Sequence, residues 1–260
     1  MTAARNTHAR NTHARSMPAQ PITLYTGGAL FGLPDASPFC IKAEVQLKMA
    51  GLPYMKVQGM PDQGPKGQIP YIEDDGTRLG DSTFIRGHVE KTYGVDLDAG
   101  LTPQQRALSW TIERLLENQL YWTVVHSRWL IPENFAKGPA QFFTRVPEAM
   151  RDQMRQSVLE RVTNNVRAAG PGRHSDAEIA DLCDRSLSAL SLLLGDQPYL
   201  LGDRATAVDA TALGVLASLL TPYFDTEVRR RVLNYPNLLA YTDRLMAQFF
   251  PDFAWVPAAA

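Results

Sequence analysis

Cysteine is scarce in this chain of 260 residues: there are two, Cys40 and Cys183, far apart and outside any Cys-x-x-Cys pair. That excludes a disulfide scaffold and a cysteine-type zinc site, and it fits a reducing, cytosolic setting. Charge of one sign is missing too, since 26 Lys and Arg stand against 27 Asp and Glu for a net charge of -1. Bulk electrostatics therefore give no reason to expect a nucleic-acid partner. The one dense basic run, Arg229-Arg230-Arg231, reads as a solvated helix face. The longest apolar run, Ala212 to Leu220, is too short to span a bilayer, so no integral membrane segment is expected. Phosphate-cradling glycine motifs and His/Asp/Glu clusters with ligand spacing are absent, so no metal is expected either.

What is present is ordinary globular material, 45% hydrophobic and 20% charged. The pentapeptide Asn-Thr-His-Ala-Arg occurs twice, at residues 6–10 and 11–15. Two copies cannot form a solenoid, and residues 1–20 read as a disordered tail or an upstream start artefact. From Pro21 strands and helices alternate. Ile22 to Thr26 is a β-prone run, and a Gly/Pro-rich loop follows. A helix then starts with Ser37 as N-cap and Pro38 at its first position, and stops at Gly51. Phe39, Ala43, Leu47 and Ala50 give it one buried face. Pro53 to Val57 is the next strand, in parallel with the first. Residues 58–68 are loop. A hairpin turns at Asp-Gly, and a further helix opens at Asp81 or Ser82 and ends at Gly94. After residue 97 the pattern is helical throughout, with helices near 103–131, 147–168, 175–194, 206–220, 225–233 and 236–249. Two domains follow: a small α/β domain over 21–97 and an all-helical one over 98–255.

The stretch Lys66-Gly-Gln-Ile-Pro-Tyr-Ile poses a physical question, because a strand that begins at Pro70 lacks a ladder donor there. A cis Ile69-Pro70 peptide turns the Ile69 backbone outward, free to pair with an extended peptide ligand. Asp81-Ser82 sits where free N–H groups and the helix dipole favour a carboxylate, with the Ser82 hydroxyl as a further donor and Asp81 as a partner for an ammonium group. One short stretch can thus hold a small peptide bearing an amine and a carboxylate at one end.

These segments, with Thr206-Ala-Val-Asp209 as a helix-capping box, resemble the glutathione transferase superfamily from about residue 21 onward. Ser37-Pro38-Phe39-Cys40-Ile-Lys-Ala-Glu, Lys66 to Gly76 and Glu90 to Thr102 are more narrowly similar to its failed-axon-connections and metaxin-like branch. The resemblance implies an N-terminal thioredoxin-like domain followed by a C-terminal helical bundle, with glutathione as co-substrate. It places Gln68, Ile69 and Pro70 against the cysteinyl part of glutathione and Asp81 and Ser82 on its γ-glutamyl group. Ser37 then stands where the family activates the thiol; a plain N-cap is the alternative. Cys40, one turn on, is either a low-pKa thiol supporting reductase chemistry or a small buried hydrophobe. Tyr25 is a third candidate for the thiol's helper, against core packing. Lys66 is either a partner of the glycyl carboxylate or an exposed lysine.

Asn118, Trp122 and His126, four residues apart, mark the expected pocket for a hydrophobic second substrate, although aromatics at this spacing also build helix cores. His88 reads as structural or exposed, and Cys183 as core. The implied function is conjugation of glutathione to an apolar electrophile by stabilising its thiolate, in the cytoplasm, with pairing of two chains. A non-catalytic binding or scaffold protein of metaxin-like type is the alternative.

Overall fold

The computed structural model describes residues 17–144 and 146–256; of the expected tail over residues 1–20, residues 1–16 lie outside them. The first half runs β1 (Ile22–Thr26), α1 (Pro38–Met49), β2 (Tyr54–Gln58), β3 (Tyr71–Asp74), β4 (Thr77–Gly80) and α2 (Ser82–Tyr93). The sheet order is β2-β1-β3-β4, with β1 and β2 parallel and the other pairs antiparallel. At the β3–β4 turn Asp75 and Gly76 both take positive φ, 47° and 78°, which is the backbone an Asp-Gly hairpin turn requires. This half is a thioredoxin-like domain, and the second half is helical.

The helical half runs α3 (Pro103–Leu115), α4 (Tyr121–Trp129), α5 (Pro132–Lys137), α6 (Glu148–Ala169), α7 (Asp176–Leu194), α8 (Ala207–Leu220), α9 (Glu227–Val232) and α10 (Pro236–Phe249). The single helix expected over 103–131 is two segments joined by a π-helical stretch, Leu116–Leu120. A π turn adds a residue to the ladder and shifts the faces beyond it. The short α5 was not expected; Pro132 starts it at a first-turn position.

Helix α1 departs from the one-faced reading, because it is buried nearly all round. Ala43 and Leu47 pack with Ile22, Leu24, Ile72 and Ile85 on the sheet side. Ile41 and Val45 pack with Leu213 and Leu216 on the helical side. Each fully buried aliphatic side chain contributes about 1.5–3 kcal/mol, so α1, which contributes to both cores, ties the two halves together. Helix α8 approaches closely enough that a Cβ on Gly214 would lie 2.3 Å from the Pro38 carbonyl oxygen.

Polar residues of α1 are buried with partners. Lys42 donates to Glu113 at 3.0 Å, Glu117 at 2.7 Å and Thr83 at 3.2 Å, and Arg114 closes the same network onto both glutamates. At the start of α8, Asp209 accepts from the Thr206 amide at 2.7 Å, the Leu200 amide at 3.0 Å and the Tyr241 hydroxyl at 2.6 Å. Cys183 is buried in the helical core beside Leu187 and Leu190, and burial raises its thiol to about 12. His88 lies 2.7 Å from Asp74, which also accepts from Tyr93, so it serves the end of the sheet.

Candidate functional site

The site is built where the β1–α1 loop, the approach to β3 and the start of α2 meet. Ser37 is the N-cap residue of α1, with extended backbone and no side-chain cap bond. Its carbonyl accepts from the amides of Cys40 and Ile41 at 3.1 and 3.2 Å.

The loop that delivers Ser37 is organised by a residue the sequence reading passed over. Asp35, fully buried, accepts from the Gly28 amide at 2.8 Å and from the Ser37 amide at 2.9 Å. Burial raises its pKa, against the pull of those two amides. An aspartate bonding the amide two residues on is a local signal that Asp35-Ala36-Ser37 carries in its sequence.

The Ile69-Pro70 peptide is cis, as the strand-initial proline suggested. The ladder of β3 begins at Tyr71, paired to Tyr25 and Gly80, so Ile69 stands outside it. The Pro70 carbonyl accepts from the Asp81 amide at 3.3 Å, which fixes the start of α2 beside this loop. Gly27 lets the two loops meet: a Cβ there would lie 3.2 Å from the Ile69 side chain and 3.4 Å from Asp35.

Asp81, and not Ser82, is the N-cap of α2, accepting from the Thr83 amide at 2.9 Å. Its φ is 82°, a conformation costing a non-glycine residue roughly 1–3 kcal/mol and found at ligand clamps. Ser82 is buried, and its hydroxyl has no bond to another described residue. Lys66 lies across from Gly80 and holds its ammonium 3.8 Å from the centre of the exposed Phe84 ring. Gln68 is exposed, its carbonyl packed where a Cβ on Gly64 would clash. Ser37, Ile69, Pro70, Lys66, Asp81 and Ser82 thus border one corner of the molecule.

Cys40 is not on that border. It is 0% exposed, and burial, followed by the charge of Asp35, pushes its thiol well above the ordinary range. The lowered pKa expected from the helix end does not arise, because desolvation of the thiolate outweighs the dipole. Tyr25 stacks on Tyr71 at 4.4 Å between ring centres, and burial and the Glu73 charge raise its phenol. Neither change suits a thiol activator.

Asn118, Trp122 and His126, expected to line a second pocket, stand in different surroundings. Asn118 is exposed inside the π stretch. Trp122 packs against Tyr121. His126 turns to Asp176, 3.5 Å away at the start of α7, and its pKa is lowered by burial. The residues of α4 that reach the Ser37 side are Tyr121, whose ring is 4.6 Å from Phe39, and Arg128, which donates to the Ala36 carbonyl at 2.8 Å. These contacts join residues more than eighty positions apart, and no local pattern announces them.

Among the described residues no group of three or more His, Cys, Asp or Glu could hold a metal ion, and no helix is long and apolar enough to cross a membrane.

Comparison with known proteins agrees with this fold. Residues 38–134 match the glutathione S-transferase N-terminal domain, and residues 183–245 match the glutathione S-transferase C-terminal domain. The chain is 31% identical over 239 residues to Failed axon connections of Drosophila melanogaster, covering 85% of this chain and 56% of that one. It is 31% identical over 242 residues to isoprene-epoxide–glutathione S-transferase of Rhodococcus sp. (strain AD45), covering 88% of this chain and 99% of that one. The Arabidopsis thaliana mitochondrial outer membrane import complex protein METAXIN is 25% identical over 235 residues, covering 87% and 72%. In fold, the chain resembles beta-etherase LigF from Sphingobium sp. strain SYK-6, with a TM-score of 0.60 at 19% identity over 92% of this chain and 97% of that one. With both domain matches and a near full-length relative in hand, the chain belongs to the glutathione S-transferase superfamily, with relatives among the Failed axon connections and metaxin proteins.

Proposed function

We infer that the protein binds glutathione and joins its sulfur to a small apolar electrophile, with an epoxide as the favoured class. The observation that carries this reading is the convergence at one corner of Ser37, the off-ladder Ile69 backbone, and the Asp81-Ser82 helix start with an unbonded hydroxyl. Ile69 N–H and C=O suit the cysteinyl backbone of glutathione. Ser82 and the amides at the start of α2 suit the γ-glutamyl carboxylate, and Asp81 suits its ammonium. Lys66 is available to the glycyl carboxylate. Ser37, at the positive end of α1, donates to the sulfur and favours its thiolate. The thiolate attacks an epoxide carbon, the carbon–oxygen bond opens, and the alkoxide takes up a proton. The epoxide class is supported by the name of the Rhodococcus relative.

The cytoplasmic setting and the pairing of two chains are parts of the same proposal. A second reading is a binding or scaffold protein with little catalysis, supported by the likeness to the METAXIN import-complex protein and to Failed axon connections. A reductase working through Cys40 has less support, because that thiol is fully buried.

Steady-state conjugation of glutathione to a small epoxide tests the proposal. Wild-type protein accelerates the reaction, and Ser37→Ala lowers kcat by about tenfold or more while glutathione affinity holds. Equal turnover in the variant removes Ser37 from its role, and absence of any turnover favours the scaffold reading.

A further inference from the structure

The peptide that leads into Ser37 is gripped at both ends by buried charged side chains. Its N–H, that of Ser37, donates to Asp35 at 2.9 Å. Its C=O, that of Ala36, accepts from Arg128 at 2.8 Å. Both bonds involve ionisable partners and belong to the stronger class of hydrogen bond. One amide plane therefore has its orientation fixed from two sides.

The two grips come from different halves of the molecule. Asp35 belongs to the β1–α1 loop, whereas Arg128 is on α4 and is anchored in turn by the Ser218 carbonyl of α8 at 3.1 Å. The guanidinium lies near the rings of Phe224 and Phe31, at 5.2 and 5.7 Å. Lys42 and Arg128 are the buried cations among the described residues; Lys42 pairs with glutamates, and Arg128 has no carboxylate within ion-pair distance. Burying a guanidinium with carbonyl partners alone is costly. Burial draws its pKa down to about 10, which leaves it charged at neutral pH. A cation kept there at such cost, bonded to the residue before Ser37, calls for a purpose beyond packing.

We propose that Asp35 and Arg128 are paired positioning residues that hold the Ala36-Ser37 peptide, and with it the Ser37 hydroxyl, in the orientation needed to stabilise the glutathione thiolate. Activation of the thiol then depends on the helical half being seated against the β1–α1 loop. This rests on the reading of Ser37 given above. Neither residue touches glutathione in this scheme, and the γ-glutamyl side at Asp81 and Ser82 is independent of them.

The test uses the full chain with Arg128→Lys, which keeps the charge and loses the forked donor, Asp35→Asn, which is isosteric, and the double variant. Hydrogen exchange over residues 28–39 without ligand reads the grip directly. The bound thiol pKa, kcat and KM for glutathione, and the affinity for S-methylglutathione read its consequence. Each single variant should speed exchange at Ser37 by about tenfold, raise the bound thiol pKa and cut kcat by about tenfold. KM and S-methylglutathione affinity should stay within about twofold, and the double variant should lose little more than either single one, since both act through one peptide. Single variants whose exchange or bound thiol pKa matches wild type overturn the proposal alone, as does full additivity of the losses. A wild-type protein that binds glutathione without lowering its thiol pKa overturns the Ser37 reading and the proposal with it. The two single variants are judged separately, so one that does not fold leaves the other to decide.

Discussion

Ser82 and Cys40 show how far the identity of a residue falls short of its role. Each follows an N-cap on the first turn of a helix, yet one borders the candidate glutathione corner and the other is sealed in the core. The Ser82 hydroxyl, on a buried residue and unbonded among the described residues, is the proposed donor to the γ-glutamyl group. Ser82→Ala should weaken glutathione binding by about 1–3 kcal/mol, the range for a lost hydrogen bond to a charged group. Isothermal calorimetry measures this, and unchanged affinity with the fold intact would remove Ser82 from the site. Much of this corner was legible beforehand, because a strand-initial proline, an Asp-Gly turn and an Asp-Ser helix start are local signals. Arg128 and Tyr121 were not, since their partners Ala36 and Phe39 lie on a different element and only the packed fold pairs them.

At the scale of elements, helix α1 carries the architecture. Its N-terminus presents Ser37, one side packs on the sheet, and another packs on α8. Its amphipathic pattern showed only the sheet side, because Lys42, Glu44 and Gln46 look solvent-facing in sequence and are buried in the structure. The pattern along residues 118–126 changes for a related reason: four-residue spacing assumes an uninterrupted α-helix, and the π stretch at Leu116–Leu120 breaks that count. Gly214 offers a direct test of the α1–α8 contact. Alanine normally favours a helix over glycine by up to about 1 kcal/mol, but here its Cβ would press on the Pro38 carbonyl at 2.3 Å. Gly214→Ala should therefore cost about 1–3 kcal/mol in urea unfolding, as overpacking does. Gly87→Ala on the exposed side of α2, where a Cβ meets nothing within 4 Å, should not destabilise. Equal behaviour of the two variants would contradict the close approach.

At the scale of the whole molecule, two halves of different architecture are joined by a shared core helix, a buried charge network and the grip on the loop before Ser37. The change from strand–helix alternation to helix alone was plain in the sequence, as was the capping of α8 by Thr206 and Asp209. The manner of joining was not, since it depends on polar residues whose partners lie far along the chain. Family membership extends to both an epoxide-named transferase and an import-complex protein, so fold alone does not decide between catalysis and scaffolding. Thiol activation decides it. The most direct measurement is a spectroscopic titration of the glutathione thiolate bound to the full chain, followed near 240 nm across pH. Activation by Ser37 and the start of α1 predicts a bound thiol pKa at least one unit below that of free glutathione, whose thiol lies near the ordinary cysteine value of about 8.5. Glutathione that binds with an unshifted pKa, or does not bind, would contradict the account.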